Sequence, residues 1–333
     1  MHVPMRPVEG FYVEDADGVI FAVKGILHPR GKFIVVPRYV PSQTGERGGG
    51  GTKRYHKTPS SAYKVSMDAW PRLRYVDPYL GVELLVMRTG EITGIYDPVL
   101  GLVELRRRAS MPLHRACVSL ADALESGGLK GENVGVSGSI LLGLERGTSD
   151  IDLVVYGHAE EKKAVEVLRK LRAYGHTIPL RGHVPNPMRI PVKAHLAHER
   201  RKLLKGMLNF EGRFVKYLVR CIPFEDEYRE RYGEAKHTDG GPMKAEAIIV
   251  DDGLGTFLPT RYEARSTGPQ SLRFDIVSYG GIICEQARRG ERVLVSGKFE
   301  SVVNERGRAH LEIIVDMRGH YLYSPELGKR KPR

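Results

Sequence analysis

The chain has 333 residues, 41% of them hydrophobic and 28% charged, which excludes global disorder and, at this length, a single small domain. Lysine and arginine number 52 against 40 aspartates and glutamates, a formal charge of +12 that favours polyanionic partners such as nucleic acid or nucleotide phosphates. Three widely separated cysteines (Cys117, Cys221 and Cys284) exclude a disulfide framework and a zinc ribbon, and no apolar run reaches the ~18 residues of a membrane span.

Met1-His2-Val3-Pro4 carries no charged-then-apolar signal, so a cytoplasmic protein with no membrane association is expected. Residues 1–103 read as a β-rich domain. Short β-rich runs at 18–23 and 32–36 flank the turn His28-Pro29-Arg30-Gly31, and further strands are expected at 82–87 and 92–96. Between them, residues 45–57 contain four consecutive glycines among Arg47, Lys53, Arg54 and Lys57. This reads as a mobile basic loop that either closes over a phosphate-bearing ligand or forms the tip of a hairpin.

A helix is expected from Pro112, with Leu113, Ala116, Cys117, Leu120, Ala121 and Leu124 on one face and Gly127-Gly128 at its end. A strand at 134–136, a short apolar helix at 139–144, a strand at 151–156 and an amphipathic helix at 159–174 follow. Residues 104–175 therefore read α-β-α-β-α. After a proline-rich loop at 177–191, residues 192–208 have helical spacing, 214–222 read as a strand, and the Gly-rich segment 233–242 marks a boundary. Strands at 245–250, 272–278, 292–299 and 311–317 suggest a small C-terminal barrel, possibly OB-like, over 233–325, followed by a basic tail at 326–333. The fold class expected is α+β, with a core at 104–232 flanked by the two β-rich regions.

Chemistry concentrates in Val134–Val155. Gly138-Ser139 stands where a strand gives way to a helix, so its free backbone amides and the serine hydroxyl form the outline of a phosphate cradle. An ordinary helix N-cap has the same appearance. Asp150 and Asp152 lie at i and i+2 at the start of the strand Ile151-Asp152-Leu153-Val154-Val155, so both carboxylates share one face. Like charges at this spacing repel unless a cation separates them, and hard oxygen ligands suit Mg²⁺ or Mn²⁺.

Gly-Ser at a strand-to-helix turn, followed about ten residues later by Asp-x-Asp opening a hydrophobic strand, resembles the DNA polymerase β-type nucleotidyltransferase superfamily. Gly143 in the helix and Ser149 before the first aspartate fit the same pattern. The resemblance covers about residues 110–175. Over its whole length the chain is similar to archaeal proteins described as predicted nucleotidyltransferases. The resemblance implies a central mixed sheet with helices and a Mg²⁺-dependent transfer of a nucleotidyl group, with release of pyrophosphate. Asp150 and Asp152 would hold the metal, and Gly138, Ser139 and Ser149 the nucleotide, ATP or CTP. The acceptor hydroxyl would belong to RNA or another nucleic acid. Active members also carry a third carboxylate on a neighbouring strand; Glu246 is the candidate, on the expectation that 245–250 pairs with 214–222, with Glu211 and Asp251 behind it.

Lys193, Arg200, Arg201, Lys202 and Lys205 cluster in the 192–208 segment, either as a track for an acceptor's phosphates or as a solvated face. His195 and His198 lack a third ligand at metal spacing. The alternative to an enzyme is a nucleotide- or RNA-binding protein with a degenerate site, and the third carboxylate discriminates between them. Composition does not fix an oligomeric state.

Overall fold

The computed structural model describes residues 7–48, 53–58, 67–182, 184–228 and 230–329. Residues 49–52 of the glycine run and residues 330–333 of the basic tail lie outside them. Strands β1 (Tyr12–Glu14), β2 (Ile20–Val23) and β3 (Lys32–Pro41) arise where β-branched and aromatic residues alternate with polar ones. Phe33, Val35 and Tyr39 of β3 point inward. With β4 (Tyr55–Lys57), β5 (Arg74–Val76), β6 (Glu83–Arg88) and β7 (Gly94–Tyr96) they form a sheet ordered β5-β6-β3-β2-β1-β7, with β4 paired to β3.

Helix α1 (Pro98–Arg108) starts at Asp97, whose carboxylate accepts from the amides of Val99 at 2.8 Å and Leu100 at 3.3 Å, and proline fills its first turn. Helix α2 (Pro112–Ser126) buries the face predicted for it: Leu113, Ala116, Cys117, Leu120, Ala121 and Leu124. The next elements are β8 (Val134–Val136), α3 (Gly138–Leu141), β9 (Ile151–Tyr156) and α4 (His158–Ala173). Then come β10 (Thr177–Ile178), α5 (Val192–Arg201), β11 (Lys205–Phe210) and β12 (Arg213–Ile222). The last six strands are β13 (Ala235–Leu254), β14 (Thr260–Ser266), β15 (Arg273–Ser278), β16 (Arg292–Asn304), β17 (Ala309–Ile314) and β18 (Tyr321–Tyr323).

The class is α+β, and the chain divides into two units. The first comprises the described residues up to Pro78, Val82–Val167 and Phe210–Gly233. The division expected at 103/104 falls inside it. The reason is a shared core: Val8, Phe11, Val13, Phe21 and Val35 of the N-terminal region pack in one cluster with Val154, Tyr156 and Ile222. Gly10, at φ +101°, lets this contact form, since a β-carbon there would lie 2.9 Å from Val154 Cγ1. In this unit β9 pairs antiparallel with β8 and parallel with β12.

The second unit comprises Tyr79–Gly81, Leu168–Asn209 and Glu234–Arg333, of which the described residues run to 329. Here β13 pairs with β14, β14 with β15, β15 in parallel with β17, β17 with β16, and β16 back with β13, closing a five-stranded ring. Strand β18 adds to β16. Ile249, Tyr262, Ile276, Val295 and Ile313 fill the apolar core of this unit. The boundary expected at 233–242 coincides with the end of the first unit at Gly233 and the return of the second at Glu234, although most of the segment is strand. A register shift between Asp239 and Pro242 absorbs its Gly-Gly-Pro sequence without ending β13. The helix expected over 192–208 stops at Arg201, and 205–210 instead forms β11, paired with β10 inside the expected proline-rich loop.

Candidate functional site

Strand β8 delivers the chain to the Gly-Ser turn. The antiparallel ladder with β9 runs from Val134↔Val155 to Val136↔Leu153, and the Ser137 amide extends it by donating to the Asp152 carbonyl at 2.8 Å. The Ser137 hydroxyl donates to the Gly10 carbonyl at 2.8 Å, tying the turn to the N-terminal sheet. At Gly138 the backbone adopts φ +65°, a left-handed conformation that disfavours any side chain. A β-carbon there would also collide with the Asp152 carboxylate. The turn and the second aspartate are thus built against each other. Helix α3 is a single turn, shorter than the 139–144 segment predicted, so its macrodipole is small and its contribution to an anion site is the local amides.

Asp152 opens β9 with its side chain 23% exposed, and Asp150 precedes the strand in solvent contact. Surrounding protein raises the Asp150 carboxyl above the usual aspartate range, and the Asp152 charge adds to the effect, against Lys216 and Lys57.

The parallel register of β12 fixes what stands beside them. Leu218 lies opposite Asp152, so Lys216, Leu218 and Arg220 share the Asp152 face, while Tyr217, Val219 and Cys221 are buried on the other. Arg220 Nη1 lies 3.5 Å from Asp152 Oδ1. The neighbouring strand therefore supplies cations where a third carboxylate was expected.

The candidates for that third role have partners of their own. Both sides of β13 around Glu246 are used within the second unit, by β14 and β16, and β12 pairs with β9. The expected pairing of 245–250 with 214–222 is not made, and the argument for Glu246 as a third carboxylate goes with it. Glu246 instead binds Arg292 through both oxygens, at 2.7 and 2.8 Å, and Arg292 holds its carboxyl below the usual range. Glu211 occupies a left-handed turn position at φ 49° and pairs with Arg115 at 3.1 Å. Asp251 belongs to the second unit, opposite Glu263 on β14.

The N-terminal sheet lines the same site, which the sequence reading did not foresee. Lys57 lies opposite Tyr39 in the β3–β4 pair. Burial lowers the Lys57 ammonium, and the cations Arg38 and Arg47 add to this, while Asp152 and Asp150 oppose it. Tyr12 is pushed up, first by burial and then by the Asp152 charge. The basic loop is a hairpin over its described residues, with Arg47 bridging Tyr55. It reaches the loop that precedes Asp150: Arg47 donates to Ser149 Oγ at 3.2 Å and to the Leu144 carbonyl at 3.4 Å, and Arg146 donates to the Glu46 carbonyl. The Ser149 hydroxyl also accepts from the Arg146 amide at 2.9 Å, so it organises this loop. Glu145 anchors the loop to α2 through His114 at 2.6 Å.

The basic cluster after the proline-rich loop is largely consumed by ion pairs of the second unit. Arg201 pairs with Glu291 at 2.5 Å, and Lys202 and Lys205 with Glu199 at 2.9 and 2.6 Å. His198 accepts from the Ser324 amide at 3.1 Å, and burial holds its imidazole down to about 3.

No family model matches the chain. No solved structure matches it either. It is 27% identical over 329 residues to the uncharacterized protein MJ1086 of Methanocaldococcus jannaschii, a match covering 91% of this chain and 94% of that protein. The similarity therefore runs over nearly the full length of both chains.

Proposed function

We propose that the first unit is a polymerase-β-like, Mg²⁺-dependent nucleotidyltransferase that moves a nucleotidyl group from an NTP, ATP or CTP, to a hydroxyl of an RNA acceptor. The observation that carries this reading is the mutual fit of Gly138 and Asp152: the left-handed glycine of the strand-to-helix turn leaves room for the carboxylate of the Asp-x-Asp pair. The donor set fits a hard divalent cation, since two carboxylates lie two residues apart at the start of β9 and Asp150 is destabilised as an anion. Mg²⁺ held there would supply charge neutralisation of the triphosphate and activation of an attacking hydroxyl. Asp150 and Asp152 are its ligands in this reading.

Ser139 and the amides of the Gly138 turn bind the β- and γ-phosphates. Lys57, Arg38, Arg47, Lys216 and Arg220 balance the remaining charge and orient the leaving pyrophosphate. The acceptor oxygen attacks the α-phosphorus, and the bond from that phosphorus to the bridging oxygen of pyrophosphate breaks. The five-stranded ring of the second unit, with its parallel β15–β17 pair, supports an OB-like barrel for the acceptor strand.

One observation favours the second reading, a nucleotide- or RNA-binding protein without transfer: β12 presents Lys216, Leu218 and Arg220 to the aspartates. Incubation with each NTP labelled at the α-phosphate, Mg²⁺ or Mn²⁺ and pooled small RNAs separates the two. Label transferred by the wild type and lost in Asp150→Asn/Asp152→Asn supports the enzyme. Metal-dependent nucleotide binding without transfer supports the binding protein.

A further inference from the structure

The second unit contains a row of charged side chains that the nucleotide site does not use. In β15 and β17 the residues Ile276 and Ile313 belong to the apolar core, so Asp275 and Glu312, one residue earlier in each strand, lie on the opposite face. Register places Glu312 beside Asp275 on one side and beside Glu300 on the other. His237 of β13 reaches the same row, with Nδ1 2.9 Å from Glu300 Oε2. These groups are out of water: the side chains of His237, Glu300 and Glu312 are 6%, 8% and 0% exposed.

The two halves of the row differ in what neutralises them. Between Asp275 and Glu312 the position of a cation is already filled, because Arg261 Nη1 lies 2.5 Å from Asp275 and 2.6 Å from Glu312 Oε1. His310 also contacts that Oε1, at 2.9 Å. On the other half Glu300 gives Oε1 to Lys298 at 2.8 Å and turns Oε2 toward His237. A ligand atom from each of His237, Glu300 and Glu312 lies within 4.8 Å of the other two. Glu312 Oε2 is buried and takes no hydrogen bond among the described residues. An orphaned carboxylate oxygen in the interior is costly unless something positive meets it. The 2.9 Å contact between His237 Nδ1 and Glu300 Oε2 is a hydrogen bond that an ion taking both atoms as ligands would replace.

We propose that His237, Glu300 and Glu312 form a binding site for one divalent transition-metal ion, with Zn²⁺ as its representative. One imidazole nitrogen with two carboxylates favours such an ion over Mg²⁺, which prefers oxygen alone. Lys298 and Arg261 then orient the ligating carboxylates through their other oxygens, as outer partners of metal ligands do. The ion is held entirely by the second unit and stitches β13, β16 and β17 together.

The test is Zn²⁺ titration of the full-length chain by calorimetry in the Asp150→Asn/Asp152→Asn background, which removes the other candidate metal site. One equivalent is expected to bind. His237→Gln and Glu312→Gln should each weaken that equivalent by at least about a hundredfold, the upper end of what loss of even an outer partner costs. Zn²⁺ should raise the thermal midpoint of the background protein and leave that of either variant unchanged. Should Glu312→Gln fail to fold, His237→Gln decides alone, because the His237 side chain, unlike that of Glu312, keeps some exposure to water. Co²⁺ gives a second readout, with visible bands that His237→Gln abolishes. Absence of a bound equivalent, or equal affinity in the background and His237→Gln proteins, overturns the proposal.

Discussion

Gly138→Ala is the substitution that tests most sharply how the site is built. Two independent costs meet at this position. The backbone is at φ +65°, where an L-residue costs about 1–2 kcal/mol. The added methyl also meets the Asp152 carboxylate, an overpacking cost of typically about 1–3 kcal/mol. Gly143 supplies the control within the same segment: it has the same φ of +65°, but nothing lies within 4 Å of a β-carbon built there. Gly143→Ala should therefore lose only about 1–2 kcal/mol, the backbone share. The excess loss in Gly138→Ala, about 1–3 kcal/mol, measures the contact with Asp152. Urea denaturation followed by a probe in the first unit gives both values. Mg²⁺-dependent nucleotide binding, measured by calorimetry, should fall in Gly138→Ala and persist in Gly143→Ala. Equal stability and equal binding in the two variants would refute the mutual fit on which the functional reading rests.

Four further predictions concern charge. Asp150 has a carboxyl raised by burial, so in the metal-free protein its ionisation costs stability as the pH rises through its folded pKa; Asp150→Asn should be at least as stable as wild type at neutral pH by thermal unfolding. The same raised carboxyl means that protons displace Mg²⁺ at a higher pH than at an ordinary aspartate, and a pH series of metal-dependent nucleotide binding checks this. Arg47→Ala removes the bonds to Ser149 and Leu144, and should weaken nucleotide binding with little change in stability. His198 takes a proton near its ordinary value when unfolded but only near 3 when folded. Its contribution is full above about pH 6.5 and declines as the pH falls toward 3, by up to about 1.4 kcal/mol per pH unit, and His198→Asn should flatten the stability profile in that window.

Local features were legible in the sequence where a few adjacent residues determine them. The spacing of Gly138-Ser139 and Asp150-Ile151-Asp152 located the turn and β9, and the apolar period from Leu113 to Leu124 located the buried face of α2. Helix α1 was missed although Asp97-Pro98 is a strong start signal, because the following run was read with the β-rich region. What stayed hidden depends on pairing between distant segments. Glu246 was assigned to the site by a guessed strand pairing, while the actual register of β9 with β12 brings Lys216 and Arg220 there. Lys57 and Tyr39 feel the Asp152 charge, and the N-terminal sheet that carries them shares a core with Val154 and Tyr156, a contact no periodicity announces. The buried row of His237, Glu300 and Glu312 likewise exists only once β13, β16 and β17 are aligned.

The most direct test of the central claim is pyrophosphate release from each NTP in the presence of Mg²⁺ and pooled RNA, compared between wild type and Asp150→Asn/Asp152→Asn. The account predicts release with ATP or CTP that requires both metal and RNA and disappears in the double variant. Release that persists in the double variant, or no release from any NTP by a wild-type protein that binds it, would contradict nucleotidyl transfer at this site.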